Sequence, residues 1–501
     1  MPEKINQKDG DRFDWFPILD EEFVHSLVNK VLANITSKDS ARGITKEHRI
    51  SRDKDRKLVA QHLISALYGA YCTINRDNSN VVVSVIRDAN FYSSSPTKDP
   101  NKIKHSWRCF DAVYDSLIEM DWINVNVGME GKGYTRIYPI NELRNTFEEI
   151  GIRWCKQQPI NINDLIVLRD KDDDGKKFDL PTPDTNEVKV MASRLYKYNS
   201  FLTKHCIALD VDDEQLYEIS RVIADNKDNE KKERLQKLYI PRVQLKRIFS
   251  RGDMELGGRF YHGWWQSVPS LYRPHITIDN CKTSEVDFST MSLRIIYAIC
   301  DCKAPDAGVD LYDIGLDGWQ GPKDPRRKPI KRYINALMND YKGTFRLEQE
   351  NLEIIGMKQK GLKDKVLDVH HEIAEYLEAG VGLQTQFIDS QIADDVMHTL
   401  MHEGIVLLPI HDSFIIRTGY EASLENAMQA AFMRQVKANI SVDADGSRLP
   451  TQFGMNDEQM ALQEQMKSTR PGSFIVNGAD IDFDDLTKSS IMSRYTSSWE
   501  R

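Results

Sequence analysis

The sequence predicts an α+β chain, rich in helix and divided into modules. Long stretches such as 345–403 repeat apolar residues at three- and four-residue spacing, which marks helices. Between them stand only short apolar runs bounded by turn residues, at 122–138, 285–288 and 404–416, which marks short strands and hairpins. The expected division is an N-terminal arm over 1–57, a module over 58–150, a helical region over 151–244, a central segment over 245–442 and a polar tail over 443–501.

Composition narrows the class. With 501 residues and 40% hydrophobic content, the chain is long enough for two or three domains with sizeable cores. No apolar run approaches the roughly 20 residues that span a bilayer, and the first residues lack an apolar signal core. A soluble, cytoplasmic protein without a membrane partner is expected. The seven cysteines are scattered; only Cys300 and Cys302 lie close together, with no zinc spacing, so reduced thiols are expected. A net charge of −9 argues against uniform attraction to nucleic acid but leaves local basic grooves open.

In the arm, Phe13, Trp15, Phe16, Ile18 and Leu19 are candidates to pin the chain, residues 21–32 carry helical spacing, and Thr45–Arg56 alternates charge like a solvated linker. The next module reads as a helix at Leu58–Tyr71, a strand or short helix at Val81–Phe91, and an amphipathic helix at Ile103–Met120 with Lys104, His105 and Arg108 near its start. Two alternating strands then flank Gly128, Gly131 and Gly133, which predicts a hairpin bearing Lys132 and Arg136. Helix, helix and hairpin in that order resemble a winged helix, a module that sets a helix in the DNA major groove and lays its wing on phosphates. Such modules also dock proteins, so both uses stay open.

Residues 151–240 are expected to be mostly helical, with a helix at Val188–Ile207 suited to a thumb-like role. The acidic run from Asp170 lacks the downstream glutamate of a calcium loop and reads as a solvated turn. Gly257 and Gly258 then allow close approach of backbone to a ligand, and Arg259 projects from aromatic surroundings, a natural contact for sugar and phosphate.

Two stretches carry the chemistry. In Glu285–Tyr297 an apolar-flanked Asp287 ends a short strand, and Leu293, Ile295 and Ile296 continue at helical spacing. In Gly404–Ile416 two apolar runs flank His411-Asp412-Ser413, a hairpin with a carboxylate at its tip. Two aspartates on neighbouring strand ends suit a two-metal phosphoryl-transfer site. About 4 Å apart they would repel by roughly 4 kcal/mol, and a pair of Mg²⁺ ions turns that repulsion into binding. Between them, Asp324–Asn339 is the strongest basic cluster. Pro325 suits a helix start, and Arg327 and Lys331 share one helix face that Asn335 and Asn339 continue. A cationic and then amide row suits a triphosphate followed by sugar or base. The helices of 345–403 and Ala422–Val436 frame the hairpin, and the end of the chain is acidic, with Asp480, Asp482, Asp484 and Asp485.

In this order the motifs of residues 245–440 resemble the palm and fingers of the family that contains DNA polymerase I and the phage and mitochondrial single-subunit RNA polymerases. Asp287-Phe-Ser-x-x-x-Leu-Arg294 is similar to its first aspartate motif, Arg327-x-x-x-Lys331 to its fingers helix, His411-Asp412-Ser413 to its third motif, and Gly258-Arg259 to the pair that contacts the primer-side minor groove. The resemblance implies a right-hand palm, fingers and thumb with a small antiparallel palm sheet. It implies DNA template and primer and nucleoside triphosphates as partners, and two Mg²⁺ ions, replaceable by Mn²⁺, held by Asp287, Asp412 and the Phe288 carbonyl. Lys331 and Arg327 would neutralise phosphate charge, Lys331 would protonate the leaving group, and His411 would orient the primer end.

Two departures stand out. Ser292 replaces the glutamate with which the DNA polymerases help exclude a ribose 2′-hydroxyl, which predicts tolerance of ribonucleotides and leaves primase-like initiation open. Asn335 and Asn339 occupy slots where the fingers helix offers an aromatic ring and glycine, so the stacking aromatic is absent or is Tyr333 or Tyr341. A phage, plasmid or defence setting is expected, with protein partners unassigned. The alternative is a non-catalytic DNA-binding replication or regulatory protein with a polymerase-like palm. A nuclease lacks any further Asp, Glu and His cluster.

Overall fold

The computed structural model of the chain describes residues 11–13, 16–44, 46–72, 82–93, 102–126, 135–151, 155–172, 174–211, 215, 218–219, 222, 243–339, 345–438, 440–444, 473–476 and 479–482. The fold is mixed α/β, helix-rich, with small sheets that are mainly antiparallel. Three hydrophobic clusters organise it.

The first cluster belongs to the N-terminal module. Its elements are β1 (Asp11–Arg12), α1 (Glu22–Ala41), α2 (Lys46–Tyr71), β2 (Val83–Val85), a short 3-10 turn (Ala89–Phe91), α3 (Trp107–Glu119), β3 (Ile123–Asn126), β4 (Thr135–Pro139) and α4 (Asn141–Ile150). Cys109, Phe110, Val113, Tyr114 and Leu117 recur at helical spacing on α3, so one stripe meets Val24, Leu27, Val28 and Val31 of α1 and Leu63, Ile64 and Leu67 of α2. The sheet runs β1-β2-β4-β3, with β2, β4 and β3 antiparallel and β1 added in parallel at the edge. Two boundaries differ from expectation. Within residues 11–44, Phe13, Phe16, Leu19 and one face of α1 join the core of this module rather than standing apart from it. The solvated linker at 45–56 falls largely within α2, and Arg56 is buried against Asp39 of α1 at 2.6 Å. Alternating charge in this stretch belongs to a helix rather than to loose chain. The hairpin loop with Lys132 and the three glycines, and also Trp15, lie outside the described residues.

Among the described residues of the region expected to be mostly helical, three short strands accompany one long helix. The region holds β5 (Ile166–Lys171), β6 (Lys177–Leu180), α5 (Asn186–Leu202) and β7 (Ile207–Leu209), so the predicted helix at Val188–Ile207 ends five residues early and its last residue starts a strand. Then come β8 (Lys246–Ser250) and β9 (Asp253–Tyr261), and these form a four-stranded sheet ordered β6-β5-β8-β9.

The second sheet is built from distant parts of the chain. After β10 (Ile276–Ile278) and β11 (Cys281–Phe288) come α6 (Met291–Ile299), α7 (Arg327–Asn339), α8 (Gln349–Ile355), α9 (Gln359–Val369), α10 (Ala374–Leu377) and the long α11 (Gly382–His402). The hairpin of β12 (Leu407–Ile410) and β13 (Ser413–Arg417), then α12 (Glu421–Val436) and β14 (Val442–Ala444), complete it. The order is β12-β13-β11-β10-β7, with β14 also on β11. The largest cluster fills the space where α11 and α12 pack, with Phe249, Trp265, Phe288 and Phe414 buried in it. The third cluster unites α6 with α7 to α10 through Leu293, Ile296, Ile330, Ile334 and Leu362.

The tail also differs from a featureless polar segment. β14 pairs with the end of β11, and β15 (Ser473–Val476) and β16 (Ala479–Asp482) form an antiparallel hairpin. Asp484 and Asp485 lie outside the described residues. No described helix is long and apolar enough to cross a membrane.

Candidate active site

Strand alternation aims the first carboxylate. Val286 and Phe288 are buried in the core, so Asp287 and Glu285 face the other side of β11. Thr290 then takes a left-handed backbone at φ 53° and turns the chain into α6. The second carboxylate stands on the tip between β12 and β13, where every strand residue but Arg417 is buried and His411 also has positive φ, 55°. Such a conformation costs about 1–2 kcal/mol for a residue with a Cβ. Register brings the two together. Asp287 lies opposite Ser413, and the Phe288 N–H reaches the Asp412 carbonyl at 3.4 Å.

The electrostatics record that proximity. Burial first and then the Asp412 charge push the Asp287 carboxyl up to about 8; Lys331 works against this and Glu285 adds to it. One carboxyl oxygen of Asp287 is buried with no hydrogen-bond partner among the described residues. His411 is pushed the other way, down to about 4, by burial and then by the Arg259 charge, with Asp412 opposing. Its imidazole is therefore neutral at physiological pH, packs edge-on to Tyr261 at 5.6 Å, and leaves Nδ1 buried and unpartnered.

Helix α7 brings the cations. Pro329, Ile330, Tyr333, Ile334, Leu337 and Met338 are buried, and Arg327 and Lys331 lie half-buried along one flank of that face. Arg327 pairs with Asp310 through two bonds of 2.7 and 3.2 Å. Both cations stand over the Tyr312 ring, Arg327 at 5.1 Å and Lys331 at 5.7 Å. Burial, followed by Asp412, pushes the Tyr312 hydroxyl well above its ordinary value, and Asp287 and Asp310 add to this. Tyr312 therefore lies between the paired aspartates and the cationic helix. Sequence reasoning missed it and Asp310, because both sit in a loop with no periodicity. The available signal was an acidic residue and an aromatic just ahead of a basic helix.

On the other flank, Arg259 of β9 bonds Asp389 of α11 at 2.5 Å and senses the Asp412 charge. Burial pushes the Asp389 carboxyl up to about 6 against the pull of Arg259. Asp389 was also missed. Its signal was a carboxylate on the buried stripe of α11 formed by Thr385, Asp389, Ile392, Ala393 and Val396.

Other predicted residues are placed as follows. Ser292 is half-buried in the first turn of α6. Asn335 has a buried, unpartnered side-chain oxygen, whereas Asn339 bonds the Asn335 carbonyl and lies over Gly382, where a Cβ would fall 2.1 Å from its oxygen. Tyr333 is not a stacking platform: it is 3% exposed and packs near Phe345 on the inner face of α7. Tyr341 lies outside the described residues. In the N-terminal module, Arg108 is exposed on α3, the Lys104 ammonium is paired with Asp164, and Arg136 on β4 has a buried Nε without a partner.

Among the described residues no group of three or more His, Cys, Asp or Glu side chains is arranged to hold a metal. Two adjacent carboxylates with an orphaned buried oxygen still fit a divalent ion whose other ligands come from backbone and substrate.

No protein-family model matches the chain, and no curated protein does. Among solved structures, the POL domain of Pol1 from M. smegmatis, in complex with DNA primer-template and dNTP, is similar over 52% of this chain and 51% of that one, at 13% identity and a TM-score of 0.27. A likeness of that size carries no argument, so the weight falls on the geometry of the site.

Proposed function

We propose that the chain is a template-directed nucleic-acid polymerase, a two-metal nucleotidyltransferase with a right-hand palm and fingers. The observation that supports this best is the meeting of Asp287 and Asp412, 125 residues apart, beside Lys331 of a cationic helix. Asp287, Asp412 and the Phe288 carbonyl are the donors for two Mg²⁺ ions, with Mn²⁺ as substitute. Two ions held there would supply Lewis-acid activation for a primer 3′-hydroxyl and charge neutralisation for the triphosphate and pyrophosphate.

The chain's own residues do the rest by position and charge. Arg327 and Lys331 neutralise triphosphate charge, with Tyr312 as the wall behind them, and Lys331 supplies a proton to the leaving group. Arg259 reaches the minor-groove edge of the primer terminus, and neutral His411 orients that terminus. Ser292, too short to fill a 2′-hydroxyl pocket, lets ribonucleotides bind. The N-terminal module is read as a winged helix that holds DNA through α3, with Arg108, and its β3–β4 wing; its helix–strand–helix–hairpin order supports this.

Extension of a labelled primed template, and of an unprimed one, with each nucleotide set and Mg²⁺ or Mn²⁺ tests the proposal. Extension that Asp412→Asn abolishes while duplex binding persists is expected. Binding without extension under every condition would instead make the chain a non-catalytic DNA-binding protein with a polymerase-like palm.

A further inference from the structure

Arg247 is a fully buried cation with no carboxylate bonded to it among the described residues. It is 1% exposed on β8, and burial lowers its guanidinium to about 10, so it stays charged at neutral pH. A buried charge must be compensated by good geometry. Here Nε donates to the Gly258 carbonyl at 2.7 Å, Nη2 donates to the Ser390 hydroxyl at 2.7 Å, and the rings of Phe249 and Phe260 lie 5.3 Å away on either side.

Its two polar partners are informative. Gly258 immediately precedes Arg259, and Ser390 immediately follows Asp389. Arg247 thus grips the chain neighbour of each member of the Arg259–Asp389 pair. The backbone there is irregular. Ile248 faces Arg259 and Phe249 faces Gly257, so Gly258 is an extra residue in β9, a bulge with Gly257 at φ 79° and Gly258 at φ 73°. A Cβ on Gly258 would lie 2.7 Å from the Phe249 ring and 3.0 Å from the Ser390 hydroxyl, so the strand, the helix and the guanidinium close on one another there.

We propose that Arg247 is a positioning residue: by holding Gly258 to Ser390 it fixes the bulge of β9 against α11, and so aims Arg259 at the side of the site that carries His411 and Asp412. A lysine has one ammonium and cannot reproduce two divergent bonds, so Arg247→Lys is not conservative here. The consequence for catalysis rests on the polymerase reading; the consequence for the bulge does not.

The test compares wild type, Arg247→Met, Arg247→Lys and Ser390→Ala in the full chain. Amide hydrogen exchange over residues 255–261, the KM for primer-template, the KM for nucleotide and kcat are read together. With Arg247→Met, exchange in β9 rises and the primer-template KM rises roughly tenfold, while the nucleotide KM stays within about twofold, since a buried bond to a charged group is lost only on the primer side. Ser390→Ala moves the same two readouts in the same direction by roughly threefold, and it decides the matter if Arg247→Met fails to fold. Wild-type exchange and wild-type primer-template KM in a folded variant, or equal losses for primer and nucleotide, overturn the proposal. If wild type extends no primer, the polymerase reading falls and the exchange of β9 alone decides the role of Arg247.

Discussion

Asp287 carries its carboxyl where a lone negative charge is hard to keep, on a mostly buried strand end facing a second aspartate. Divalent ions relieve that repulsion, so binding of Mg²⁺ should stabilise the folded chain by linkage. Thermal denaturation of wild type is expected to shift upward by several degrees in saturating Mg²⁺, and Asp287→Asn and Asp412→Asn should each lose most of that shift; equal shifts in all three proteins would place the ion elsewhere. Tyr312 leads to a second prediction. Its ring stands against both Arg327 and Lys331. Tyr312→Phe should therefore keep the wild-type nucleotide KM, whereas Tyr312→Ala should raise it roughly three- to tenfold, the size of a partly desolvated cation–π contact. Ser292 carries the third. Ser292→Glu should restore rejection of ribonucleotides in a direct competition between rNTP and dNTP, and strong rejection already present in wild type would refute the reading of that position.

At the scale of elements, the strand–turn–helix around Asp287 and the hairpin around Asp412 were legible because each is an apolar run with a local stop. Other elements depend on partners that the local sequence does not show. The last residue of the helix predicted at 188–207 opens a three-residue strand whose place is set by pairing with β10, some 70 residues later, and helical spacing carried the expectation past Leu202. Asp389 and Tyr312 acquire meaning only when α11 and the 310–312 loop come close to the strand ends that carry Asp287 and Asp412. That loop has its own anchor. The Tyr297 hydroxyl bonds His370 Nδ1 at 3.0 Å, and His370 Nε2 bonds the carbonyl of Leu311, next to Tyr312, at 2.9 Å. Burial lowers the His370 pKa below 6.5 despite that carbonyl. Between the two values the unfolded chain binds more protons, so this contribution is whole above pH 6.5 and is lost as pH falls through the folded value. In chemical denaturation, the stability difference between wild type and His370→Asn should shrink from pH 7 towards pH 5; a constant difference would mean that His370 titrates alike in both states.

The whole molecule has separate cores, and that separation predicts how it melts. The N-terminal cluster draws on residues from Phe13 to Cys155, and the other two clusters on residues from Leu165 to Ile440. Among the described residues, polar contacts joining the N-terminal module to the rest include the Lys104–Asp164 pair and contacts of residues 18–21 with 156–158, a stretch that Gln244 also holds. Small polar contacts of this kind transmit little cooperativity compared with a shared apolar core. The two later clusters differ in this respect, because α6 contributes Ile295 to one and Leu293 and Ile296 to the other. Calorimetry should therefore resolve two transitions rather than one or three. Mg²⁺ should raise only the transition that contains Asp287 and Asp412, while short duplex DNA, bound through α3, should raise the N-terminal one even in Asp412→Asn. A single transition that moves as a unit with either ligand would mean that the two modules fold as one body, and that DNA held by the first is sensed directly at the carboxylates of the second.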